Sequence, residues 1–435
     1  MSHNAWYYRL LLMLLLLFCL SACASQQNRT ETITVWAHSG QESERLILKE
    51  QVTRFNAKHH QPIELTFIPE GTYNAQVQAA SLSNDLPCLL EFDGPFLYSY
   101  VWQDILMPLE TLLPQEIRQD LLPSIITQGT YQGHLYSVGT FDSGLGLYGR
   151  RSLLEAAGVR IPEDNIDAWN AAEFRQILAK LAKRDPDGQV LDLKLNYGGE
   201  WITYAFSPLI QSAGGDLIDR RDFQSADGVI NSSESIASLE QLQSWINLGY
   251  VDPNLDDAAF KDARVALAWG GHWNYQDYAD SWGNDLVLLP LPNFGKGSKT
   301  GQGSWSWGIT KTCPNPQVAA QFLTFILNTE EVLRMANANG AVPATKSAIA
   351  LSALYSEEAP LRLFATQLLS GQTIPRPQTP AYPVITSVFQ QIFNDIRSGL
   401  DVKTGLDNAA TIIDIDVEDN QGYPNISRGK FGEDR

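Results

Sequence analysis

Eleven tryptophans stand in this chain of 435 residues, and ten of them follow its first thirty positions. An indole offers a broad apolar face and one N–H donor, so such a surplus serves either packed cores or an aromatic-lined binding site. Trp305 and Trp307 alternate in Gly303-Ser304-Trp305-Ser306-Trp307, and in an extended segment they share a face. Trp273 ends Gly271-His272-Trp273, and Trp201 follows Gly198-Gly199-Glu200. Asp93 closes the apolar run Leu89-Leu90-Glu91-Phe92 beside Gly94-Pro95, where it either offers a carboxylate to a ligand or caps the next helix. His38-Ser39-Gly40 and Glu42 follow a strand-like Ile33-Thr34-Val35. Flat rings beside hydrogen-bonding charges suit capture of a guest better than bond breaking.

Spacings that would signal other chemistry fail on context. Gly144-Leu-Gly-Leu-Tyr-Gly149 spells G-x-G-x-x-G, but a dinucleotide site needs that pattern directly after the first strand. Asp185-Pro-Asp187-Gly188 matches a fragment of a calcium loop and lacks its remaining ligands, which leaves a surface turn. No HExxH, GxSxG or clustered Cys/His set occurs, so no metal, cofactor or catalytic group is expected. A formal charge of −18 argues against nucleic acid or anionic lipid as a partner.

The elements that must position these residues alternate. Ile33–Val35 and Ile63, Leu65, Phe67 read as strands around a helix bearing Leu48, Val52 and Phe55. Leu89–Asp93 is a third strand, and further strand-like runs lie at Leu191–Leu195, Val265–Trp269, Leu286–Leu291 and Ser306–Thr310. Phe174/Ile177/Leu178/Leu181, Ala319/Phe322/Leu323/Ile326/Leu327 and Phe389/Ile392/Phe393/Ile396 each make one helical apolar face. Such alternation predicts an α/β protein with parallel-rich sheets covered by helices, and the length suits two lobes.

The amino terminus reads as a processing signal. Arg9 precedes the apolar run Leu10–Leu20, too short for a comfortable permanent span, and Leu20-Ser21-Ala22-Cys23 resembles the bacterial lipoprotein box. That resemblance implies removal of 1–22, lipid attachment at Cys23, a tether over 23–30 and residence at the cell envelope without a spanning helix. Cys19 departs with the leader, leaving Cys88 and Cys313 in an oxidising compartment, as a disulfide or as buried thiols.

From Ile33 to Asp414 the chain resembles the family-1 extracellular solute-binding proteins, the maltose-binding-protein-like sugar carriers. The marks are Ile33-Thr34-Val35-Trp36, Tyr131-Gln-Gly-His-Leu-Tyr136-Ser-Val138, Leu147-Tyr-Gly-Arg-Arg-Ser-Leu-Leu-Glu-Ala-Ala-Gly-Val159, Gly214-Gly215-Asp216 and Val265–Trp273. Leu267 replaces the family's usual Met, and Pro87-Cys88-Leu89 stands where Pro-Asp-Val is frequent.

The resemblance implies a two-lobe periplasmic-binding-protein fold of type II, with crossings near Val138–Phe141, Gly303–Ser306 and Ile374–Arg376. The first lobe is expected to hold 31–139 and 305–374, the second 140–304 and 375–420, with a polar tail over 421–435. A small carbohydrate, a di- or short oligosaccharide, is expected between them, delivered by a monomer to the permease of an ABC importer. A sensor presenting its closed form to a receptor is the alternative. A glycoside hydrolase would need two carboxyls at a fixed separation, and no such pair stands out.

Sugar C–H faces stack on rings and sugar hydroxyls bond to charged groups, so the expected contacts are His38, Gly40, Glu42, Asp93, Phe141, Asp142, Trp201, Gly271, Trp273, Trp305, Trp307 and Arg376. Phe141 and Asp142 also fit the hinge, and Arg376, in Pro375-Arg376-Pro377, also fits an interlobe salt bridge. In this fold the strand around Ser306–Thr310 runs antiparallel beside the third strand, which implies that Cys313 approaches Cys88.

Overall fold

The computed structural model describes residues 32–424 apart from 163, 165 and 357. The leader, Cys23 and the tether lie outside the described residues, as does the tail beyond Pro424.

Ile33, Val35 and Ala37 are buried along the first strand, Ile33–His38, and Leu48, Val52 and Phe55 along one face of the helix Glu42–Asn56 that follows. The strands Ile63–Ile68 and Leu89–Asp93 pair parallel on either side of the first. Trp305–Ile309 and then Ser137–Val138 complete a five-stranded sheet. A second sheet runs in the order Leu286–Leu289, Leu145–Arg150, Leu267–Gly271, Leu191–Asp192. The helices Ala171–Ala182 and Tyr382–Arg397 bury the faces that their periodicity predicts, in a core shared with Trp169, Trp245 and Trp269.

The sheets are mixed rather than parallel-rich, and the direction in which the chain enters them explains why. Trp305–Ile309 begins opposite Asp93, and Leu145–Arg150 begins opposite Gly271. Both strands enter from the other lobe, at the edge where their neighbours end, so each must run antiparallel to them. The strand ends that gather along this shared edge are where an open α/β sheet presents its ligand.

Two short ribbons tie the crossings together. Thr300–Gln302 pairs parallel with Thr373–Pro375, and Phe141–Asp142 pairs antiparallel with Val342–Pro343. The helix Arg362–Leu369, within the 305–374 segment expected on the first lobe, lies along Leu145–Arg150 of the second sheet. Its Gln367 Nε2 donates to Leu145 O at 3.1 Å.

Cys88 and Cys313 form a disulfide with 4.3 Å between Cα atoms. The antiparallel register brings Leu89 opposite Ile309, so the residue before one strand meets the segment after the other. The bond closes a separation of 225 positions, and its removal costs about 2–4 kcal/mol of stability by restoring freedom to the unfolded chain. We expect reduction, or the paired change Cys88→Ala with Cys313→Ala, to lower the denaturant midpoint accordingly. Two titratable thiols in the unreduced, denatured protein would show that the bond does not form.

Candidate functional site

The charged centre of the site is a guanidinium. Arg376 follows the crossing strand Thr373–Pro375 and is 5 % exposed. Its Nη2 donates to Asp93 Oδ1 at 3.0 Å and its Nη1 to Glu200 Oε1 at 2.8 Å. Asp93 ends a strand of the first sheet, whereas Glu200 opens the helix Glu200–Ala213 over the second. One cation therefore bonds to both lobes. Glu200 also accepts from Thr386 Oγ1 at 2.7 Å and from the Tyr382 hydroxyl. The guanidinium lies over the Tyr204 ring at 4.9 Å. Gly303, at φ +130°, makes room for it, because a Cβ there would sit 2.6 Å from Nη2.

Two carboxylates around one cation leave a surplus negative charge out of water. Burial pushes the Glu200 carboxyl up and the neighbouring Asp93 charge adds to this; Arg376 opposes both, and the outcome is about 7. Asp93 is also raised by burial, against the pull of Arg376.

On the first lobe, His38 ends the opening strand with its Nδ1 2.8 Å from Glu91 Oε2 and its Nε2 3.6 Å from Glu44 Oε2. Burial alone would lower the imidazole's pKa, but the charge and hydrogen bond of Glu91 and the nearby Glu44 carboxylate outweigh it and carry it to about 10. The ring lies flat against Trp305, centroids 4.0 Å apart and planes 5° apart. Gly40 N donates to Glu70 Oε1 at 2.6 Å, and a Cβ at Gly40 would collide with Glu44 and His38.

On the second lobe, part-exposed Trp273 stands edge-on to Trp201, centroids 5.9 Å apart, and 6.3 Å from Tyr204. A Cβ at Gly271 would collide with the Trp273 ring, so that glycine is what lets the indole fold back over the strand end. His272 is buried, with Nδ1 2.8 Å from Asn339 O, a contact from the second lobe to a helix end on the first.

Residues 50–361 match the family model of bacterial extracellular solute-binding proteins, well over half of the chain. The chain belongs to that family. A maltooligosaccharide ABC transporter solute-binding lipoprotein of Streptococcus pneumoniae is 22% identical over 303 residues, 68% of each chain. Among solved structures, the GacH receptor of Streptomyces glaucescens, studied unliganded and with acarbose, is similar at TM-score 0.75 and 18% identity, covering 89% of this chain and 97% of that one. The cyclic alpha-maltosyl-1,6-maltose binding protein of Arthrobacter globiformis is similar at TM-score 0.73 and 21% identity, covering 89% and 99%. These likenesses establish the two-lobe fold.

In this solute-binding protein Asp93, Arg376 and Trp305 meet at one place. Asp93 makes no helix-capping bond; its carboxylate goes to Arg376 instead. Trp307 is a correction: it is 1 % exposed and packs edge-on to Phe322 in the first lobe's core, because the sheet beneath that part of its strand is covered by helix Pro316–Ile326. Trp201 is largely buried in the second core, with its Nε1 lacking a hydrogen-bond partner. Glu42 is exposed on the first turn of its helix, and the carboxylate of that helix that faces His38 is Glu44. Phe141 and Asp142 are buried in the hinge ribbon, where Asp142 Oδ2 accepts from Gln128 Nε2 at 3.1 Å and Oδ1 from Ser143 N.

Glu44, Glu91, Glu200 and Tyr204 escape the sequence reading. Glu91 carries a legible signal, a carboxylate inside an otherwise apolar strand. Glu200 stands next to the singled-out Trp201, but only the fold brings it to Arg376.

The raised Glu200 group sets a pH dependence. Its folded pKa, about 7, exceeds its ordinary value of 4.5, so the folded state holds this proton more tightly than the unfolded chain. Its contribution to stability is full below pH 4.5 and is lost as pH rises through 7. We expect Glu200→Gln to flatten the stability profile across that window, measured by urea unfolding from pH 4 to pH 8. A Glu200→Gln profile parallel to the parent's would place the proton elsewhere.

Proposed function

We propose that this solute-binding protein carries a short gluco-oligosaccharide in the cleft between its lobes and delivers it to the membrane subunits of an ABC importer. The observation that carries this reading is the continuous path Trp305, Asp93, Arg376, Tyr204, Trp273. Trp305 pairs with Asp93, Asp93 bonds Arg376, Arg376 lies over Tyr204, and Tyr204 neighbours Trp273. Part-exposed indoles from two lobes thus flank ionised oxygen and nitrogen groups, the pairing of surfaces that a sugar's faces and hydroxyls require. The buried Arg376 Nε lacks a hydrogen-bond partner and so adds an unspent donor. The names of the relatives, with maltooligosaccharide, acarbose and cyclic maltosyl-maltose among them, support a glucose-based guest.

The Leu20-Ser21-Ala22-Cys23 box supports export and lipid attachment at Cys23, which would keep the carrier at the membrane surface. Two lobes that close over a guest give the importer a shape that exists only when loaded.

Maltotriose at about a hundred times its dissociation constant should stabilise the mature protein by about 2.7 kcal/mol in a thermal-shift experiment. Trp273→Ala should weaken its binding about 30-fold or more while leaving the unliganded melting temperature nearly unchanged. No shift with any oligosaccharide from maltose to maltotetraose would overturn the gluco-oligosaccharide reading.

A further inference from the structure

We propose that His38 is a positioning residue whose imidazolium forms the fixed back plate against which the Trp305 indole is held, leaving the indole's other face to the guest. The inference deepens the cleft reading above and rests on it for the identity of the guest alone. Residues that follow the first strand are natural candidates for direct contact, but His38 is committed elsewhere. It is 7 % exposed, its Nδ1 faces Glu91 and its Nε2 faces Glu44. Both ring nitrogens thus point at carboxylates, which fixes the ring as a cation and leaves no donor for a ligand.

The plate is itself anchored. Glu91 Oε2 also accepts the backbone N–H of His38 at 3.3 Å, and Glu44 is held by Gln41 N at 2.8 Å and by Asn339 Nδ2 at 2.9 Å. The imidazole plane follows from those bonds, and the indole lies parallel to it within 5°. A cation against an indole face is attractive, and more so where water is excluded. Tyr73 meets the same indole edge-on at 5.6 Å, with its hydroxyl donating to Trp36 O at 3.1 Å, so a second side is closed as well. Trp305 stands at the first residue of its strand, where chain-end freedom would otherwise let the ring swing. A ring already held in one orientation loses less entropy when a guest stacks on it.

The test is a double-mutant cycle with maltotriose as probe, read by calorimetry. His38→Gln should weaken binding about tenfold. In a Trp305→Leu background the same change should have no further effect, because the indole through which His38 acts is gone. If the two losses multiply, His38 touches the guest directly and the proposal is wrong.

A second measurement needs neither a ligand nor a His38 variant. In unliganded protein with ¹³C-labelled histidine, one imidazole should resonate upfield under the indole ring current and return to an ordinary position in Trp305→Leu. Histidine spectra that are the same in both proteins would overturn the stack. A shifted histidine in protein that binds no oligosaccharide from maltose to maltotetraose would sink the gluco-oligosaccharide reading and leave the back plate standing.

Discussion

A guanidinium cannot leave water without partners, and the fold of this protein is arranged so that Arg376 finds them on both sides of a gap. Asp93 reaches it from the end of a first-sheet strand and Glu200 from the start of a second-lobe helix. Removing the guanidinium would leave two buried carboxyls facing each other without a counter-charge, a loss of about 3–5 kcal/mol in proteins generally. That magnitude exceeds any single surface ion pair here, such as Arg334 with Glu330 on one exposed helix face. The same geometry makes the triad sensitive to lobe separation, since parting the lobes cannot preserve both bonds and admits water to all three groups.

The surroundings of the triad follow from chain direction. Strands that cross from one lobe to the other begin at the shared edge, while strands native to each lobe end there. Trp305, Asp93, Gly271 and Trp273 therefore collect at one level although they are far apart in sequence. The rigid fastening lies at the opposite end of those strands: the Cys88–Cys313 bond joins the segment before Leu89–Asp93 to the one after Trp305–Ile309. The covalent tie holds the base, and the cleft end is left to side chains whose hydrogen bonds can be exchanged.

Much of the fold was legible because it depends on local period. The helical faces around Phe174 and Phe389, the alternation of Ile33 and Val35, and the apolar run before Asp93 all report burial directly. Mixed strand direction was not legible, because periodicity reveals which face is buried and not which way a strand runs. Within the site, glycines and aromatics near strand ends pointed to the correct neighbourhood. The partners Glu44, Glu91 and Glu200 did not stand out, since a carboxylate's importance here comes from which cation the fold sets against it.

Trp305 and Trp307 show how narrow that difference is. Two positions apart on one strand, they share a residue type and an expected face, yet one is part-exposed against His38 and the other is sealed beneath Phe322. What separates them is depth along the strand. Trp307 lies opposite Glu91 and beside Val138, inside the five-stranded sheet, whereas Trp305 lies opposite Asp93 at its rim. Alternation assigns a face to a residue, but only the end of the neighbouring strand decides whether that face opens onto a core or onto a cleft. A ring at the rim is not sealed inside a core, so its orientation comes from the side chains around it: the imidazole held between Glu91 and Glu44 against one face, and Tyr73 at its edge.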